Sequence, residues 1–113
     1  MNKSARPHLA YIIDTLEIIK LNTPSSQSEF MSDANARDAT LMRLQDIGEH
    51  LARIRDSSPE YFAENQEDSW HRLIGLRNII AHGYREVDFE IIWDVLETKL
   101  QDFRETITRL SKS

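Results

Sequence analysis

Apolar residues recur at three- and four-residue steps through most of this chain, and nowhere do they alternate one in two. Leu41, Leu44, Ile47, Gly48, Leu51 and Ile54 form one stripe. Ile92, Val95, Leu96, Lys99 or Leu100, Phe103, Ile107 and Leu110 form another. This spacing fits the 3.6-residue turn of an α-helix and not the two-residue repeat of a strand. With three glycines and three prolines in 113 residues, the helices have few places to break.

The expected fold is therefore all-α, an antiparallel bundle of four main helices plus a short fifth, in a single domain over residues 1–113. The first helix is predicted over residues 7–21, with Leu9, Ile12, Ile13, Leu16 and Ile19 or Lys20 inward and Pro7 in its first turn. The stretch "NTPSSQSEF" reads as a loop. The second helix starts at Ser32 or Asp33, either of which can cap it, and ends near Arg55. "SSPE" opens the short helix, with Ser58 as its cap. The third runs over residues 67–82, closed by Gly83 in a left-handed conformation. The last begins at the cap Asp88 and reaches about Leu110.

Charge narrows the function. A net charge of −5 and a pI of about 5.3 argue against a broadly basic, nucleic-acid-coating surface. One local exception stands out. From Ser69 to Arg85 there is no acidic residue, while Arg72, Arg77, Arg85, His71 and His82 are all present. The chain has no cysteine, which excludes disulfides and thiolate-held metals and fits a reducing cytoplasm. His8, His50 and His71 lack metal-ligand spacing, so no metal is expected. No apolar run is long enough for a membrane span, and the N-terminal residues lack the apolar core of a signal peptide.

The acid-free stretch contains "LRNIIAHGYRE", residues 76–86. At 100° per residue, Trp70, Leu73, Ile74, Ile80 and Ala81 share one arc, with Arg77 near its centre. A charge there needs a carboxylate or phosphate partner, or a wet cleft. Asp14 or Glu49 of a neighbouring helix could supply the carboxylate and make Arg77 purely structural. His71, Asn78 and His82 lie on a second face, where Asn78 and His82, four apart, can touch. His82 before a glycine can simply cap the helix, and Tyr84 after it can simply pack.

A chemical role is also available. Arginine binds phosphate bidentately, and histidine moves protons near neutral pH. Together, with no metal, they suit RNA cleavage by the RNA's own 2′-hydroxyl. Arg77 and His82 are about 140° apart around one straight helix, and converge on one cleft edge only through the turn at Gly83 and the length of the arginine. One histidine cannot be both acid and base. A second copy of the chain beside the first would supply the missing group.

"RNIIAHGY" resembles the Arg-x4-His-x-Tyr motif of HepT-type toxins, in the HEPN group of helical ribonucleases and nucleotide-binding domains. Arg77, His82 and Tyr84 occupy its three positions, and Asn78 matches the polar residue after the arginine. "LQDIGEHLARI" is similar to the family's second helix and puts Glu49 at its acidic position. "SWHRLIGLRNIIAHGY" and "VDFEIIWDVL" are similar to the third and fourth. The resemblance implies a homodimer whose Arg77 and His82 line a cleft at the dimer interface, with Asn78 and Glu49 in support. It implies a metal-independent endoribonuclease, without a cofactor, acting on cellular RNA such as tRNA or mRNA as the toxin of a type II toxin–antitoxin pair. The implied partner is an MNT-type nucleotidyltransferase antitoxin that transfers AMP to Tyr84. The alternatives are a non-catalytic HEPN module that binds nucleotide or a nucleotidyltransferase, and a plain helical dimer with a structural arginine.

Overall fold

The chain, seen here as a computed structural model that describes residues 2–113, is built from helices alone among the described residues. The side chain of Ala81, placed on the Arg77 arc above, lies outside that description. Helix α1 spans Arg6–Asn22, α2 Gln27–Ser32, α3 Ala34–Ser57, α4 Pro59–Asn65 and α5 Asp68–His82. A 3-10 turn follows at Tyr84–Glu86. The last long helix is α6, Phe89–Asp94, continued through a π segment, Val95–Lys99, into α7, Leu100–Lys112.

Helix α3 is the centre of the bundle. It packs against α1 on one side and α5 on the other, and α7 closes against α1. The stripes meet in one core. Leu9, Ile12, Leu16 and Ile19 of α1 are buried together with Leu41, Leu44, Ile47, Leu51 and Ile54 of α3, Trp70, Leu73 and Ile74 of α5, and Phe103, Ile107 and Leu110 of α7. Ile13, Val95 and Leu96 are half-buried, and Lys20 and Lys99 stay in solvent. Removing such apolar surface from water is the main favourable contribution to folding. At the rim, Arg104 of α7 donates to Glu17 of α1 at 2.7 Å.

Several local expectations are corrected. "NTPSSQSEF" is not wholly a loop. Ser26 caps α2 by accepting from the Glu29 N–H, and the fully buried Phe30 ring lies 5.4 Å from Trp93. A six-residue helix is too short to show a period, and its serines give the segment the composition of a loop. Asp33, rather than Ser32, caps α3, accepting from the Ala36 N–H at 3.0 Å. Ser58 precedes α4 but makes no side-chain cap, and donates instead to the Asn2 side chain at 3.2 Å. Asp88 caps α6 as expected.

The last helix is not uniformly α. Its π segment is marked by the Leu100 N–H reaching back five residues to the Val95 carbonyl. The wider turn rotates the stripe, so Ile92 and Trp93 serve one part of the core and Phe103, Ile107 and Leu110 another. No helix among the described residues is long and apolar enough to cross a membrane.

Between α1 and α3 lies a cluster absent from any spacing argument. His8 Nδ1 and His50 Nδ1 are 2.9 Å apart, the Tyr11 ring stacks on His50, and the Tyr11 hydroxyl donates to Asp46. Burial, foremost, and then the charge of Arg53 depress His8 below its ordinary value of 6.5. Burial likewise depresses His50, against the opposing pull of Asp46. In the unfolded chain both would bind a proton more readily. Stability contributed by these neutral imidazoles is therefore fully present above about pH 6.5 and is lost as the pH falls through and below it. The melting temperature is expected to drop between about pH 7.5 and pH 5. A His8→Gln, His50→Gln double variant should flatten that drop, and an unchanged slope would remove the pair as its cause.

Candidate active site

Helix α5 carries the motif, and its approach to α3 decides the motif's geometry. A Cβ added to Gly48 would lie 2.2 Å from the Leu73 carbonyl oxygen, so at this crossing the two backbones touch. One residue beyond Gly48 is Glu49, and one helical turn beyond Leu73 is Arg77. The close crossing therefore brings these two side chains together, and Arg77 Nη1 donates to Glu49 Oε2 at 3.1 Å. Of the two carboxylates available from sequence, Asp14 and Glu49, the fold selects Glu49.

Arg77 is not at the dry centre of its helix. Its side chain is 26% exposed, while Leu76, absent from the apolar arc drawn from sequence, is buried. Glu49 holds the guanidinium at one corner, through Nη1. The buried Arg77 Nε has no hydrogen-bond partner among the described residues. Because Glu49 is itself 45% exposed, the pair is screened and contributes little to stability. Its consequence is orientation: the arginine is held at the bundle surface with donor capacity unused.

His82, Asn78 and Tyr84 are exposed. No hydrogen bond joins Asn78 to His82, or Arg77 to His82, among the described residues. Within one chain Arg77 and His82 thus share a helix with no hydrogen bond between them among the described residues. Gly83 ends α5, but not in the expected left-handed helical conformation. Its φ of 156° and ψ of 122° turn the chain out into the Tyr84–Glu86 turn, and its N–H bonds the Ile79 carbonyl. This positive φ is a conformation that side-chain-bearing residues rarely adopt.

That exit aims Tyr84 back at the start of α3. Its hydroxyl donates to Asp38, and its ring packs on Phe89 at 5.6 Å. Arg37, beside Asp38, donates to the Phe30 and Met31 carbonyls and lies 5.4 Å from the centre of the Phe89 ring. The hydrogen bond to Asp38, with some desolvation, holds Tyr84 above the ordinary tyrosine value, and Arg37 partly opposes this. Neither Asp38 nor Arg37 is legible as a site residue in the sequence, because Asp38 lies 46 positions from Tyr84 and follows no motif.

Against known proteins, the family described as ribonuclease HepT-like matches residues 12–110. An mRNA nuclease HepT of Shewanella oneidensis is 31% identical over 101 residues, covering 71% of this chain and 76% of that protein. A candidate RNase of Methanocaldococcus jannaschii is 26% identical over 108 residues, covering 92% of this chain and 96% of that protein. Another, from Caldanaerobacter subterraneus, is 23% identical over 109 residues. No solved structure matches.

Proposed function

Because the chain belongs to the HepT-like ribonuclease family, we propose that it is the toxin of a type II toxin–antitoxin pair, cleaving cytoplasmic RNA without a metal ion. Arg77 carries the reading: an arginine held at one corner by Glu49, with a buried Nε left unpaired, on the same acid-free helix as the exposed His82.

The reaction is attack of an RNA 2′-hydroxyl on the adjacent phosphorus, with loss of the 5′-oxygen of the next nucleotide. Arg77 offsets the charge that builds on the phosphoryl oxygens. One histidine removes the hydroxyl proton and another protonates the leaving oxygen. Each chain brings one His82 to this chemistry, so the working unit is a homodimer with its cleft between two copies of α5. Asn78, exposed on the same helix, is a supporting polar group of the cleft, and Glu49 positions Arg77. Concentrating cations in one cleft reconciles RNA binding with an acidic protein. Tyr84 is the acceptor of AMP from the MNT-type nucleotidyltransferase antitoxin. The added phosphate brings negative charge and bulk two residues from His82, blocking RNA by repulsion and occupancy.

Light scattering should give twice the chain mass. Incubation with total RNA in excess chelator should yield fragments with cyclic phosphate ends. RNA left intact by freshly folded dimer would overturn the nuclease reading. It would favour the alternative that the Glu49-paired Arg77 also fits, a non-catalytic HEPN module that binds nucleotide or the nucleotidyltransferase.

A further inference from the structure

Tyr84 does not face open solvent with its hydroxyl free. The 3-10 turn carries it to the N-terminal part of α3, where the hydroxyl donates to the Asp38 carboxylate. Asp38 is exposed and Tyr84 is 44% exposed, so the contact lies where a partner protein can reach it. Among the described residues, the charged groups that act on the hydroxyl are Asp38 and Arg37, both from α3, while α6 presents the apolar Phe89 ring. Arg85 and Glu86, on the same turn as Tyr84, are exposed. A carboxylate in contact with the phenol proton, with an arginine next to it, is the arrangement a tyrosine nucleophile needs before and after it reacts with a phosphate.

We propose that Asp38 is the general base for modification of Tyr84, and that Arg37 then holds the incoming phosphate. The proposal rests on Tyr84 being the AMP acceptor. In the step, Tyr84 Oη attacks the α-phosphorus of ATP bound by the nucleotidyltransferase. A phenol oxygen–phosphorus bond forms. The bond from the α-phosphorus to the oxygen bridging it to the β-phosphate breaks, and pyrophosphate leaves with the electron pair. The phenol proton passes to Asp38 and from there to water.

Asp38 makes the free phenolate scarcer in the resting protein, since it stabilises the neutral phenol. Proton removal in concert with attack avoids that intermediate, and only a base already in contact can do this. The product phosphodiester is an anion that repels Asp38. Arg37 lies beside it to pair with the new charge.

The test follows AMP addition by intact mass, using this chain, an MNT-type nucleotidyltransferase antitoxin, and ATP. Asp38→Asn should lower kcat about 100-fold with little change in KM for ATP. Its rate should climb with pH as solvent ionises the phenol, whereas wild type stays level across neutrality. Asp38→Glu should recover part of the rate, and unchanged helical circular dichroism shows that the variants are folded. An Asp38→Asn rate and pH profile equal to wild type would overturn the proposal while leaving Tyr84 as acceptor. AMP addition that persists in Tyr84→Phe would overturn the acceptor assignment and the role of Asp38 with it.

Discussion

RNA cleavage is expected to fall at least about 100-fold in His82→Ala, and by a similar factor in Arg77→Ala, with both variants folded and dimeric. His82 is exposed at the end of α5, so truncating it leaves the core intact. Arg77 is partly buried, yet its side-chain partner among the described residues, Glu49, is half-exposed and returns to water when the arginine is removed. A loss of activity without a loss of melting temperature therefore separates a chemical role from a structural one. The double variant should be little worse than either single, because the two groups act on the same transition state. Glu49→Gln should cost much less than Arg77→Ala, since it loosens the guanidinium and leaves its charge in place. Initial rates on a defined RNA oligonucleotide, in chelator, decide the matter. Wild-type rates in His82→Ala would refute its part in the chemistry.

The second large effect concerns Gly48. Gly48→Ala adds a Cβ 2.2 Å from the Leu73 carbonyl oxygen and 2.8 Å from its carbon, both backbone atoms of the facing helix. Neither can rotate away, so α3 and α5 must separate. Overpacking of this kind costs about 1–3 kcal/mol or more, which outweighs the roughly 1 kcal/mol by which alanine favours a helix over glycine. The expected outcome is a melting temperature lower by about 10 °C. RNA cleavage should also weaken, because Glu49 follows Gly48 and would move off Arg77.

Gly75 provides the contrast. It is also inside a helix, but a Cβ there meets nothing within 4 Å. Gly75→Ala should raise the melting temperature by a few degrees, since only the propensity gain remains. If both substitutions shift stability in the same direction, the close α3–α5 contact is not what distinguishes the two glycines.

Much of the architecture was legible because it is periodic. The α1, α3 and α7 stripes are recorded in spacings of three and four, and burial follows them almost residue by residue. Proline and aspartate marked helix starts through local chemistry, at Pro7, Asp33 and Asp88. Short elements escaped, because α2 holds fewer than two turns and its anchor, Phe30, sits among serines. The π segment escaped because inserting part of a turn leaves no trace in composition. Ser58 makes no side-chain cap, and its hydroxyl donates instead to the Asn2 side chain, 56 positions away, which no local pattern records.

For the site, the sequence by itself determined which residues could do chemistry: Arg77, Asn78, His82 and Tyr84 share an acid-free stretch on and just after one helix. It also determined that Arg77 and His82 point about 140° apart on a straight helix, since that follows from the helical turn alone. The tertiary structure decided who meets whom. Glu49 rather than Asp14 reaches Arg77, across 28 positions, because Gly48 lets two backbones touch. Asp38 reaches Tyr84, across 46 positions, because Gly83 turns the chain back toward α3. Helical period is a local property and survives in any window of sequence. The approach of two helices depends on every side chain between them, and is settled only when the core closes.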